Sequence, residues 1–96
     1  MADLLTADDF ERAGLGGWTI EDGRAVAVLA CGSFTAAGEM AQRIAALCDE
    51  QNHHAEVDIR YPDTVRVTTW SHDAGGLTDR DLRLATAVSA LHEQLR

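Results

Sequence analysis

Two hairpin-like segments on either side of a long amphipathic segment restrict what this chain can fold into. In the first, residues 18–21 and 24–30 flank Asp22-Gly23, a pair that suits the positive φ angles of a two-residue turn. Apolar and polar residues alternate on both sides of this turn, as they do in strands with one covered face. We expect that covered face to hold four side chains, Trp18, Ile20, Val26 and Val28.

The second hairpin-like segment turns at Pro62-Asp63, since both residue types favour turns. Apolar or aromatic residues alternate with polar ones before and after the turn, which predicts two more antiparallel strands. The residues expected on one side of this hairpin are Val57, Ile59, Tyr61, Val65, Val67 and Thr69. Trp70 falls on the opposite side, and the sequence leaves its role open.

Capping residues and apolar spacing predict a short helix and a main core helix. Thr6 and Asp9 match a capping box, and the helix that they begin should end at Gly14. Ser33 is placed to cap a second helix from about residue 34 to residue 51. The apolar positions of this second helix recur every three or four residues and are Phe34, Ala37, Met40, Ala41, Ile44, Ala45, Leu47 and Cys48.

A third helix follows Ala74-Gly75-Gly76, which we interpret as a flexible connector. A phosphate-binding loop is not supported, because no P-loop lysine follows these glycines. Thr78 and Asp81 match a capping box at the start of the helix. Its expected apolar face consists of Leu82, Ala85, Val88, Ser89, Leu91, His92 and Leu95.

The predicted order is therefore helix, hairpin, helix, hairpin, helix within a single domain of residues 1–96. Two hairpins separated by a helix do not form a parallel doubly wound sheet. We therefore expect an α+β fold, a four-stranded antiparallel sheet with three helices packed on one face. A chain of this length buries only about 60–70% of its unfolded surface, and such a thin core favours self-association.

Composition excludes several classes of partner. Sixteen acidic residues against eight basic ones, all of them arginine, give a net charge of −8 that repels nucleic acid and anionic membrane surfaces. The sequence has no apolar run of about 18 residues and no secretory signal pattern. We therefore predict a cytoplasmic protein that binds neither nucleic acid nor membrane, with Cys31 and Cys48 as reduced thiols.

Three of the four histidines, His53, His54 and His72, lie between Asp49 and Asp81. An imidazole with an ordinary pKa near about 6.5 can give or take a proton at neutral pH, so these residues are candidates for acid/base catalysis. Taken alone, an adjacent pair at a helix end is more simply explained as exposed, and Asp81 as a helix cap. A metal site is disfavoured, because neighbouring side chains diverge on a helix and point to opposite faces of a strand.

The segments NHHAEVDIRY and VRVTTWSHDAGGLTDRDLRLA, with the preceding Asp49, resemble the pterin-4α-carbinolamine dehydratase family. The family pattern has an acid, three further residues, His-His-Pro and a tyrosine. A strand then ends in Thr-His-Asp, followed by Gly-Gly-Leu-Thr and an aspartate nine residues after that histidine. The likeness extends through GGWTIEDGRAV and the alanine-rich helix, so it covers nearly the whole chain.

The resemblance implies dehydration of a 4a-hydroxytetrahydropterin, such as 4a-hydroxytetrahydrobiopterin, to the quinonoid dihydropterin. This reaction recycles the pterin of aromatic amino acid hydroxylases, so a hydroxylase is a candidate partner. No cofactor or metal is implied. The family also implies a homodimer or homotetramer and the same four-stranded fold.

The resemblance also implies roles for individual residues. His54 and His72 are the expected acid/base pair, and His53 and Asp81 complete the catalytic group by positioning the pterin or the other histidines. Asp49 is expected as an outer support. The candidate substrate-binding residues are Asp49, Tyr61, Ser71 and Asp73.

The chain departs from the family pattern at several positions. Ala55 replaces the usual proline, Val57 a large aromatic residue and Thr69 the usual leucine. Ten residues separate Tyr61 from His72 where the family has nine. The alternative hypothesis is a dehydratase-like binding or assembly factor without activity. Relatives of that kind tend to lose the histidines, and this chain keeps them.

Overall fold

The computed structural model describes residues 4–95, and its helices and strands follow the order expected from the sequence. The elements are α1 (Ala7–Arg12), β1 (Thr19–Glu21), β2 (Arg24–Ala30), α2 (Phe34–Gln51), β3 (Glu56–Arg60), β4 (Thr64–Thr69), a 3₁₀ turn (His72–Ala74) and α3 (Asp79–Leu95). The strands form one sheet in the order β1-β2-β4-β3, and every neighbouring pair is antiparallel. The α+β prediction is confirmed. The single domain of residues 1–96 stays a prediction, and residues 1–3 and 96 lie outside the described residues.

The first hairpin turns at Asp22-Gly23 as predicted, and both residues have positive φ angles, 52° and 73°. Its predicted covered face is wrong for Val28, which is exposed. Val26 is buried, but it lies on the same side of β2 as Val28 and is not part of the core cluster. The turn pairs Glu21 with Arg24 and so sets Ile20 opposite Ala25, not opposite Val26. The side of β2 that joins the core therefore carries Ala25, Ala27 and Leu29.

Val28 lies on the uncovered side of the sheet and is 61% exposed. Trp18 and Ile20 do contact the core, as expected. Because two of the three inward residues of β2 are alanines, the helical layer needs little space above this strand.

β4 is the central strand of the second hairpin, and its inward residues Val65, Val67 and Thr69 are fully buried. β3 is an edge strand, where Val57 packs against the core and Ile59 is largely exposed. Tyr61 does not join this face: it lies in the turn beyond β3 and is 88% exposed.

α2 begins and ends where the sequence predicts, and the Ser33 hydroxyl accepts a hydrogen bond of 3.0 Å from the Ala36 amide at its start. Asn52, in the left-handed conformation, ends the helix. The buried face is narrower than expected, because Phe34 and Ala45 are exposed. Its buried residues are Ala37, Met40, Ile44 and Cys48.

The buried stripe of α3 runs through Asp81, Leu84, Ala85 and Val88. Leu84 was missing from the predicted face, whereas Leu95, which was included, is half exposed. The apolar pattern misses the register because the first buried position of the stripe is an aspartate, which apolar spacing does not count.

The segment between β4 and α3 is closed by backbone hydrogen bonds where the sequence predicts a flexible connector. Ser71 and Gly76 form an isolated β-bridge, in which the Ser71 amide donates to the Gly76 carbonyl at 2.9 Å. Gly75 has φ 74°, a conformation that glycine adopts without strain. This closed loop sets the direction in which His72 leaves the sheet.

Both cysteines are free thiols, as predicted, with Cys48 buried and Cys31 half-buried. Burial raises the pKa of the Cys31 thiol, and the Asp63 carboxylate adds to that shift. None of the helices within residues 4–95 combines the length and the apolar character that a membrane crossing needs.

Candidate active site

A buried carboxylate, Asp81, joins the start of α3 to the end of β4 and to the segment after α2. Its Oδ2 accepts hydrogen bonds from the Thr78 amide at 3.0 Å and from the Ser71 hydroxyl at 2.7 Å. Its Oδ1 accepts from the Thr69 hydroxyl at 2.6 Å and lies 2.7 Å from His53 Nε2. Asp81 is fully buried, so these groups replace the water that an exposed carboxylate would bind.

The surroundings of His53 determine which ring nitrogen is available. His53 is buried, and its amide donates to the Cys48 carbonyl at 3.0 Å beyond the last turn of α2. Because the Thr69 hydroxyl donates to Asp81, its oxygen faces His53 Nε2 as an acceptor at 3.3 Å. Two acceptors at Nε2 keep a proton on that nitrogen, which leaves Nδ1 as the ring atom open to other partners.

His54 lies on the surface, unlike its neighbour. Its Nε2 is 2.8 Å from Oδ1 of Asp49, which lies in the last turn of α2. The two side chains are 64% and 79% exposed. An exposed pair of this kind contributes little to stability, but it restricts the orientation of the imidazole.

His72 lies in the 3₁₀ turn after β4, and its side chain is exposed. Its ring centroid is 4.5 Å from that of Trp70, with the planes inclined at 51°. His72 lines a small cleft of about 230 Å³. The other residues that line this cleft are Asp22, Gly23, Arg24, Trp70, Gly75 and Gly76.

The three histidines lie in segments that adjoin the same end of the sheet, where β3 begins and β4 ends. β3 begins at Glu56, two residues after His54, and β4 ends three residues before His72. Glu56 pairs with Thr68, so the start of β3 and the end of β4 lie side by side. The cleft beside His72 does not include His53 or His54 in its lining.

The candidate substrate-binding residues lie in different places. Tyr61 follows the opposite end of β3 from His54, and a strand of this length spans roughly 16 Å. Ser71 is buried, and its hydroxyl bonds to Asp81 and to Thr78 at 2.8 Å. Their roles as substrate contacts stay predictions.

Asp73 is exposed and accepts a hydrogen bond of 2.6 Å from Nη2 of Arg80. This hydrogen bond holds the pKa of the Asp73 carboxyl below its ordinary value. A role for Asp73 in substrate binding also stays a prediction.

Sequence reasoning missed the supporting role of Thr69 beside Asp81, whereas the predicted interaction of Thr78 with Asp81 is confirmed by the hydrogen bond from the Thr78 amide to Asp81 Oδ2. Thr69 was expected on the same side of the second hairpin as Val65 and Val67 and was noted as a departure from the family pattern, but no partner was predicted for it. A usable signal was present, because a threonine in the inward series of β4 needs a buried hydrogen-bond partner. Among residues 4–95 no group of three or more His, Cys, Asp and Glu side chains is arranged to hold a metal ion.

The fold and these side chains define a small α+β protein with a candidate acid/base site at one end of the strands of an antiparallel sheet. The family model described as pterin 4 alpha carbinolamine dehydratase matches residues 3–91. The chain belongs to this family.

Similar proteins come from distant organisms. A Prochlorococcus marinus protein is 38% identical over 92 residues, which covers 94% of this chain and 95% of that protein. A Haloarcula marismortui protein is 35% identical over 94 residues, with 97% and 100% covered. A Chloroflexus aurantiacus protein is 36% identical over 74 residues, with 77% and 78% covered. All three carry the name pterin-4-alpha-carbinolamine dehydratase, marked as provisional.

A solved structure has the same fold. The Brucella melitensis protein described as a transcriptional coactivator/pterin dehydratase superposes with a TM-score of 0.79. It is 22% identical in sequence, and the match covers 94% of this chain and 99% of that one. This comparison concerns the fold alone.

Proposed function

We propose that this protein dehydrates a 4a-hydroxytetrahydropterin to the quinonoid dihydropterin and water, and so returns the pterin of an aromatic amino acid hydroxylase to use. Membership of the family supports a dehydratase activity for this protein. The observation that carries the proposal furthest is the buried contact of 2.7 Å between His53 and Asp81 beside two exposed histidines. Such a contact orients an imidazole by a carboxylate.

The reaction needs two proton transfers and no change of oxidation state. An acid protonates the hydroxyl on C4a as the carbon–oxygen bond breaks and water leaves. A base removes the proton from N5 as the C4a=N5 double bond forms. Two groups that titrate near neutral pH meet both requirements.

We assign the acid and base to His54 and His72. Both imidazoles are exposed, so each can exchange its proton with solvent after a turnover. Asp49 orients His54 through the contact at 2.8 Å. The arrangement does not favour one histidine as the acid over the other, because both side chains are exposed.

We assign His53 and Asp81 to the positioning of the pterin. Asp81 accepts a hydrogen bond from Nε2 of His53, and this leaves Nδ1 of the same ring for other partners. Ser71 supports Asp81 through its hydroxyl, and this accounts for its presence without a substrate contact. Contacts of Tyr61 and Asp73 with the pterin remain proposals, without support from their positions.

We also propose that the protein is cytoplasmic and works as a homodimer or homotetramer. The small core of a chain of this length supports self-association, and large apolar side chains on the surface would lose contact with water between two copies. Those more than two-fifths exposed are Leu4, Val28, Phe34, Ile59, Tyr61 and Leu95. The same side chains would also suit the alternative, a binding or assembly factor without activity.

Turnover separates these alternatives. The 4a-hydroxytetrahydropterin is generated in situ, and formation of the quinonoid dihydropterin is followed by absorbance with and without the protein. We expect clear acceleration by the wild type and a loss of about 10²–10⁴-fold in His54→Ala and in His72→Ala. His92→Ala is the matched control, because His92 bonds to the Ala30 carbonyl at the opposite end of the strands from the candidate site.

Circular dichroism must show that the variants are folded. A wild type that does not exceed the spontaneous rate contradicts the dehydratase proposal. Normal turnover in both His54→Ala and His72→Ala contradicts only the assignment of acid and base.

A further inference from the structure

The three candidate imidazoles are held in different ways. His53 contacts Asp81 at 2.7 Å and His54 contacts Asp49 at 2.8 Å. Within residues 4–95 the His72 ring forms no hydrogen bond or ion pair, although an exposed side chain on a turn has several rotamers open to it. Its side-chain neighbour is the Trp70 ring, 4.5 Å away between centroids.

Trp70 is itself held by a residue from another strand. Ala25 of β2 pairs with Thr69 of β4, so Arg24 and Trp70 are the next residues along and lie on the uncovered side of the sheet. The guanidinium carbon of Arg24 lies 4.2 Å from the centroid of the Trp70 ring, within the range of a cation–π contact. The β1–β2 hairpin thus fixes the indole, and the indole contacts His72.

We propose that Trp70 is the positioning residue of His72, and that Arg24 holds the indole in place. This inference rests on the proposed function, in which His72 transfers a proton. A carboxylate partner would occupy one nitrogen of the imidazole. A ring contact restricts the rotamer while leaving both Nδ1 and Nε2 available to substrate and solvent.

The geometry also assigns this role to Trp70 over that of a stacking platform for the pterin. The indole ring is already covered by Arg24 and in contact with His72, so its stacking partners are within the protein. A positioning residue affects the chemical step, whereas a platform affects substrate binding. The two roles therefore predict different kinetic parameters.

The kinetic test compares Trp70→Ala with Trp70→Phe in the full chain. We expect Trp70→Ala to lower kcat about tenfold with KM within about twofold, because misplacement of a catalytic group slows the chemical step. Trp70→Phe retains a ring and should stay within about twofold of the wild-type kcat. A rise in KM with unchanged kcat would overturn the proposal in favour of the platform.

A second measurement does not depend on activity. The indole ring current should shift the Hδ2 and Hε1 NMR signals of His72 away from their free-histidine positions. Trp70→Ala should abolish this shift, and Trp70→Phe should keep part of it. Arg24→Gln, which leaves both rings intact, should reduce the shift, whereas Arg24→Lys should largely preserve it. Arg24→Gln also keeps the test available if Trp70→Ala does not fold.

The outcomes separate this inference from the proposed function. An active wild type whose His72 signals and kcat are unaffected by Trp70→Ala overturns the positioning role alone. An inactive wild type overturns the proposed function and, with it, the catalytic role of the contact between Trp70 and His72. In that case a ring-current shift would still report the contact between the rings.

Discussion

Asp81 Oδ1 lies 2.7 Å from His53 Nε2 in the interior of the protein, although Asp81 also closes the first turn of its own helix. One carboxylate thus serves as a helix cap and as the partner of a buried imidazole. The two roles use different oxygens, Oδ2 for the Thr78 amide and Oδ1 for His53. Stability and the proposed site consequently depend on the same side chain.

Asp81→Ala should destabilise the fold by about 3–5 kcal/mol, because His53 and the Thr69 and Ser71 hydroxyls lose a buried acceptor. Urea unfolding followed by circular dichroism measures the change. Asp79→Ala is the matched control, since Asp79 is an exposed acid in the same helical turn. Equal losses in the two variants would show that Asp81 acts only through the helix dipole.

Asp49→Ala should lower turnover by less than about tenfold and leave the midpoint of urea unfolding unchanged, because the pair with His54 is exposed and orients more than it stabilises. Steady-state kinetics and urea unfolding test both parts. Glu50→Ala removes a neighbouring exposed acid and should change neither quantity. A loss as large as that in His54→Ala would assign Asp49 a direct part in the reaction.

Arg80→Gln should raise the pKa of Asp73 towards the ordinary aspartate value of about 3.9, because the hydrogen bond from Arg80 lowers it. A carboxyl with a lowered folded-state pKa stabilises the fold above the unfolded pKa, and this contribution is lost as the pH falls through the folded value. The pH range over which Asp73 loses its contribution to stability therefore lies at and below about pH 3.9, and Arg80→Gln should narrow that range.

NMR titration of the Asp73 carboxyl measures the shift. Asp9 is the internal control, because hydrogen bonds from the Thr6 backbone and side chain lower its pKa independently of Arg80. An unchanged Asp73 titration in Arg80→Gln would mean that the contact does not persist in solution.

Leu84→Ala should cost about 2–5 kcal/mol of stability, because the side chain is fully buried in the core. Leu82→Ala should cost less, since Leu82 is only partly buried on the same helix. Urea unfolding of both variants tests the register of α3. A larger loss of stability in Leu82→Ala than in Leu84→Ala would support the buried face of α3 that was expected from the sequence.

Local signals in the sequence correctly located the elements. The capping box of Thr6 and Asp9 forms, Ser33 caps α2, and Asp22-Gly23 makes the first turn. Each of these features depends on hydrogen bonds or φ angles within a few residues, so neighbouring residue types are enough to indicate it. The resemblance to a family then supplied individual roles for the candidate histidines.

Faces and partners were harder to predict. Val28 was expected on the covered face and is exposed, Val26 is buried but on that same outer side of β2, and Leu84 was overlooked beside the buried Asp81. The side of a strand that is covered depends on its register with the next strand, and a one-residue difference exchanges the two sides. Apolar spacing alone therefore could not decide between them.

The sequence by itself determined the order of helices and hairpins, the turn residues and caps, and the set of residues that resembles the family. Only the tertiary structure decided that Asp81 is buried against His53 and that Trp70 contacts both Arg24 and His72. The contacts of Asp81 with His53 and of Arg24 with Trp70 join residues far apart in the chain. They arise from sheet register and helix packing, which depend on many side chains at once and not on any local pattern.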